Sequence, residues 1–173
     1  IEMSTRLVHP ASLQQVQDAT RLTASFKTAL GGLANLIEQR ENAREGLKKS
    51  AVHASDTLAQ LSSDLPKKEK EKALDSVELM RQAMEKAEDS AQSAAWAAAS
   101  LEAYAQSVAD ALQALDGAQA SVAKLPVDAT ALASALRDYR TQLNRLKDAQ
   151  LTTETTQNQL EQWLDELLKQ SDL

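Results

Sequence analysis

Apolar residues in this chain recur at alternating steps of three and four over most of its length, and few architectures accept that period. Phe26, Leu30, Leu33 and Ile37 lead into Leu47, Ala51, Ala54, Leu58, Leu61 and Leu65, with only Arg40 and Arg44 interrupting the row. A second row runs Ala73, Val77, Met80, Met84, Ala87, Ala91, Ala94, Ala98, Leu101, Ala105, Val108, Leu112, Leu115, Gln119 and Val122. A third runs Leu132, Leu136, Tyr139, Leu143 and Leu146, passes through Gln150, Thr153 and Gln157, and resumes at Leu160, Leu164 and Leu167. A period of 3.5 sustained this far specifies helices packed along left-handed seams.

Proline divides these rows. Pro sits comfortably in the first turn of a helix and badly in its interior, so "SSDLPKKEK" and "AKLPVDAT" read as turns at 64–66 and 125–128, with Ser63 or Asp64 and then Asp128 as candidate N-caps. The expectation is an all-α chain: one elongated antiparallel up-down-up bundle of three long helices with heptad seams, at about 11–63, 67–124 and 129–171. At 1.5 Å per residue the middle helix would be roughly 85 Å long. The alternative is that Gly31, Gly32 and Gly46 split the first helix. Folding about the two turns pairs residue i with about 130 − i and residue j with about 254 − j, which leaves the hairpin from about 48 to 82 projecting as two uncovered helices. The alanine run "SAAWAAASLEAYAQ" at 93–106 keeps the register on both sides and contains Glu102, so it reads as the narrow waist of the bundle rather than a membrane span. Trp96 should flank the core there.

Composition supports helices and removes several functions. Aromatic residues make up 3% of the chain, with one Phe, and a sheet would have little to bury. A formal net charge of −6 argues against nucleic-acid binding, which calls for a basic face. No cysteine is present, so thiol catalysis, thiolate zinc sites and disulfides are excluded. His9 and His53 are too far apart for a helical metal site, and no carboxylate pair stands out, so no catalytic, cofactor or metal residue is assigned and the chain is read as a non-enzyme. Met80 and Met84 lie in the seam as core residues.

Two features remain as candidate sites. Gln150, Thr153 and Gln157 interrupt the third seam, and the pairing arithmetic brings them near Leu101 and Tyr104. Tyr104, Gln150, Thr153 and Gln157 therefore form a candidate polar core layer, read either as a register-fixing layer or as a small ligand cavity. Lys67, Lys68, Glu69 and Lys70 form a charged tip, read either as solvated surface or as a contact point.

With its seam of Ala87, Ala91, Ala94 and Ala98 and its Leu-Pro turns at 65–66 and 125–126, the chain resembles the alanine-rich surface proteins of insect-stage African trypanosomes, of the glutamic acid/alanine-rich type. That resemblance implies a helical ectodomain on the outer face of the plasma membrane, joined to it only through a glycolipid anchor outside this chain. It also implies a coat or shield function, with a protein or host-surface partner possible. Slim monomers would suit such a coat. A soluble coiled-coil domain of a type III secretion translocator and an intracellular coiled-coil scaffold are the competing readings; a spectrin-type repeat would need a second copy, which is not present.

Overall fold

The computed structural model describes residues 10–93 and 101–171. They form four α-helices: α1 (Pro10–Asp64), α2 (Lys67–Gln92), α3 (Leu101–Ala123) and α4 (Thr130–Ser171). The all-α expectation holds, whereas the count of three helices does not. α1 runs unbroken through Gly31, Gly32 and Gly46, none of which needs positive φ.

The long middle helix expected at 67–124 is a hairpin of two helices. α2 ends at Gln92, and Ser93 is extended at φ −61°, ψ 129°. The Tyr104 hydroxyl on α3 donates to the Ala91 carbonyl on α2 at 2.7 Å, and Ser107 Oγ lies 3.3 Å from Ser90 Oγ. In a continuous helix residues 91 and 104 would stand roughly 20 Å apart, so the chain reverses between them. Alanine is the best helix former, and local propensity gives no warning of this reversal; tertiary burial overrides it. The alanine waist and the position of Trp96 fall in 94–100, outside the described residues.

The chain divides into two compact units, one of residues 38–151 and one of residues 1–37 with 152–173. In the first, α1 from residue 38, α2, α3 and α4 up to Leu151 form an antiparallel four-helix bundle. Ser50 Oγ donates to Asp138 at 2.9 Å, joining α1 to α4. Arg140 on α4 binds Asp116 and Gln119 on α3. The Tyr139 hydroxyl crosses from α4 to the Met84 carbonyl of α2 at 2.8 Å. One core holds all four helices together, with Leu47, Leu58, Met80, Val108, Leu115, Leu132, Leu136, Leu143 and Leu146 almost fully buried. The hairpin expected to project is thus covered: Ala51, Ala54, Leu58, Leu61 and Leu65 are buried, and so are Val77 and Met80. The hairpin of the middle segment supplies the cover, because it adds a fourth helix where three were expected. Met84 is buried as well.

Local signals explain the helix ends in part. The Asp128 carboxylate accepts from the Thr130 N–H at 2.9 Å and from its hydroxyl at 2.6 Å, fixing the start of α4, and these bonds hold Asp128 below its ordinary carboxylate range. The start of α2 differs from expectation. α1 continues through Asp64, Pro66 takes the cap position without a side-chain cap, and its carbonyl accepts from Glu69 and Lys70.

The second unit consists of α1 up to Ile37 and α4 from Thr152. Among its described residues only Thr153 and Leu160 are buried. Leu13, Val16, Leu30, Leu164 and Leu168 are each about half exposed and Ile37 is 36% exposed, so three seam positions expected in a core, Leu30, Ile37 and Leu164, are not in one.

Candidate ligand-binding layer

The most unusual chemistry in the four-helix unit lies near residue 40, where the leucine seam of α1 gives way to Arg40 and Arg44. Four residues apart on a helix, they share a face. Their side chains are 17% and 27% exposed, low values for guanidinium groups. One carboxylate serves both, that of Glu41, which binds Arg44 and lies 4.0 Å from Arg40 Nε. From α4, Gln150 reaches the same place, with its Oε1 3.5 Å from Arg40 Nη1.

Two buried donors are unmatched at this level, while the unmatched acceptor of the unit, Gln142 Oε1, lies further along the α1–α4 contact beside Gly46. Arg40 Nε and Gln150 Nε2 are buried without hydrogen-bond partners, and Gln150 is only 3% exposed. A buried donor left unmade costs about 1–3 kcal/mol, more when charged. Two guanidiniums that share the Glu41 carboxylate, with two spare donors at Arg40 Nε and Gln150 Nε2, leave this layer short of acceptors. Oxygen-rich anions are the ligands that supply them, and a guanidinium binds a carboxylate through paired, charge-assisted bonds.

Tyr104 borders this layer without completing it. Its hydroxyl is spent on the Ala91 carbonyl, at the C-terminal end of α2 where carbonyls lack helical partners. Burial pushes its phenol up to about 12, with Arg44 pulling the other way. Of the four residues expected to form one polar layer, Tyr104 and Gln150 therefore lie in the four-helix unit, each bonded to a different partner. Thr153 and Gln157 belong to the other unit, where Thr153 is fully buried and Gln157 half-buried. Arg40 and Arg44 were visible in the sequence only as the interruption of a seam, and that interruption was the signal for them.

The four residues of the charged tip open α2. Lys67, Lys68 and Lys70 are exposed, Glu69 is half-buried, and none makes an ion pair among the described residues. His53 is exposed on α1, and His9 lies outside the described residues. No group of three potential metal ligands occurs among the described residues.

Fold and layer together define an all-helical domain of two units with an acceptor-poor polar layer inside its four-helix bundle. The chain belongs to the helical bimodular sensor domain family, whose model matches residues 2–173. No curated protein and no solved structure matches it. The family overturns the expected coat function and the expected address on the outer face of a plasma membrane: a sensor domain detects and signals. A slim, close-packed chain fitted the coat reading, but the four-helix unit also holds buried, unmatched donors that a shield does not require.

Proposed function

We propose that this chain is the input domain of a sensor protein and that the Arg40–Arg44–Gln150 layer receives a small carboxylate-bearing ligand. One observation carries the reading: buried, unpartnered donors at Arg40 Nε and Gln150 Nε2 in a layer where Arg40 and Arg44 share the Glu41 carboxylate. Carboxylate oxygens would meet both donors while adding the missing negative charge. Arg40 stands on α1 and Gln150 on α4, the two helices that continue beyond this unit. A ligand bridging them alters the contact between those helices, which gives a sensor domain something to transmit. On this reading the chain is the periplasmic part of a membrane-spanning sensor, the usual setting of the family; no described helix is itself long and apolar enough to cross a membrane.

Calorimetric titration of the 173-residue chain with short mono- and dicarboxylates tests the reading. Binding should weaken at least tenfold in Arg40→Ala, since truncating one partner of a buried charged pair costs about 2–5 kcal/mol. Gln150→Leu should weaken it less. Carboxylate binding that is unchanged in both variants, or no binding of any carboxylate, would sink it.

A further inference from the structure

The other unit holds a cavity of different chemistry. It measures 320 Å³ and lies between α1, which contributes Asp18, Arg21, Leu22 and Ser25, and α4, which contributes Glu166 and Gln170. That volume is at the small end of the range for small-molecule sites, about 300–1,000 Å³.

Its charges are not spent on each other. Arg21 and Glu166 line the same cavity, yet neither forms an ion pair among the described residues. Asp18 accepts one bond, from Gln14 Nε2 to its Oδ1 at 3.0 Å, and its other oxygen has no hydrogen-bond partner among the described residues. Gln170 Oε1 is buried with no donor. Oppositely charged groups held apart around a small cavity, with a buried acceptor left unsatisfied, are arranged for a ligand that carries both charges.

We propose that this cavity binds a free α-amino acid. Its carboxylate pairs with the Arg21 guanidinium, the residue type best shaped for a carboxylate. Its ammonium donates to the carboxylates of Asp18 and Glu166 and to Gln170 Oε1; an ammonium has three N–H donors, and these are three acceptors. Leu22 provides the apolar contact for a short side chain. The site is independent of the Arg40 layer. A plain carboxylate would leave the Asp18 and Glu166 carboxylates facing it without a donor, and a plain amine would leave Arg21 unmatched.

Thermal-shift and calorimetric titration of the 173-residue chain with the common amino acids, and with propionate and propylamine as single-charge controls, decides it. At least one amino acid should bind, and at the same concentration propionate and propylamine should bind at least tenfold more weakly at this site. Arg21→Gln should reduce amino-acid affinity at least tenfold. Arg21 is exposed, so the variant should keep the far-UV circular dichroism of the parent. Gln170→Leu should reduce affinity by severalfold, and Arg40→Ala should leave it unchanged. The proposal is overturned if no amino acid binds, if propionate or propylamine binds equally well, or if Arg21→Gln and Gln170→Leu both bind like the parent. Because the Arg40→Ala arm separates the two sites, loss of carboxylate binding with amino-acid binding intact would remove neither proposal, whereas the reverse loss in that variant would assign the amino acid to the Arg40 layer and overturn this one.

Discussion

The Tyr104 hydroxyl donates to the Ala91 carbonyl across 2.7 Å, although the two stand thirteen positions apart in alanine-rich sequence. The bond does two things at once. It ties α3 to α2 at the reversal, and it satisfies a carbonyl that the end of α2 leaves without a helical partner. Tyr104→Phe should cost about 0.5–1.5 kcal/mol of stability, the usual net value of such a bond, and more if the carbonyl stays dry. Urea unfolding of the two proteins measures it.

The reversal itself can be trapped. Ser90 and Ser107 bring their hydroxyl oxygens to 3.3 Å, and the chain has no cysteine of its own. The double variant Ser90→Cys, Ser107→Cys should form an intramolecular disulfide under mild oxidation, seen by mass spectrometry as the loss of two hydrogens from the monomer. In one continuous helix these positions would lie roughly 25 Å apart, far beyond the limit of about 7 Å between Cα atoms that a disulfide tolerates. A double variant that stays reduced, or links only between molecules, would return the middle segment to a single helix.

What was readable in the sequence divides along this reversal. The turn at Pro126, the Asp128 cap and the buried row Leu132, Leu136, Tyr139, Leu143 and Leu146 all follow from local rules, and the structure contains each of them. The reversal does not follow, because no residue from 94 to 98 disfavours a helix and the apolar register continues through it. Only the packing of four helices against one another selects it. Its effect reaches into α3, where the buried positions are Tyr104, Val108, Ala111, Leu115, Ala118 and Val122 rather than a row containing Ala105, Leu112 and Gln119. The candidate site was half readable: Gln150 stood out as a polar interruption, while its partner Arg40 was a break in the other seam, and only the tertiary fold joins them.

Alkaline pH should loosen the fold through the chain's two tyrosines. Burial pushes Tyr104 up to about 12 and raises Tyr139 further, with Glu88 and Asp89 adding to the effect at Tyr139. Above about pH 10, the ordinary phenol value, an unfolded chain releases these protons while the folded chain keeps them. The folded state then binds more protons than the unfolded one, so stability falls as pH rises. The contribution is intact below pH 10 and declines from there through about 12. Ultraviolet titration should show both phenols ionising late in the folded protein and near 10 in urea. A folded protein whose two phenols ionise near 10 would contradict the buried placement of both.

Glycine replacement should separate two environments on one helix. A Cβ at Gly31 or Gly32 would meet nothing within 4 Å, whereas at Gly46 it would lie 2.5 Å from Gln142 Oε1. Gly31→Ala should therefore stabilise by about 0.5–1 kcal/mol through reduced backbone freedom alone. Gly46→Ala has to displace the Gln142 amide first, and its gain should be smaller or absent. Thermal unfolding of the two variants side by side reads the difference, and equal gains would mean that Gln142 does not hold its position over Gly46.

The two parts of α1 should also differ in protection, although they belong to one unbroken helix. From residue 38 onward Ala43, Leu47, Ala51, Ala54 and Leu58 are buried within four helices, while before it Leu13, Val16 and Leu30 are about half exposed. Local opening follows the amount of apolar surface that an opening must expose. Amide hydrogen exchange should therefore be slow across 43–61 and much faster across 13–34. Side-chain truncation should follow the same division. Leu136→Ala and Leu143→Ala, at fully buried sites, should each cost about 2–5 kcal/mol. Leu164→Ala, at a side chain 46% exposed, should cost less than about 1 kcal/mol. Uniform exchange along α1, together with a Leu164→Ala penalty equal to that of Leu136→Ala, would require a cover over the two-helix unit that the chain's described residues do not supply.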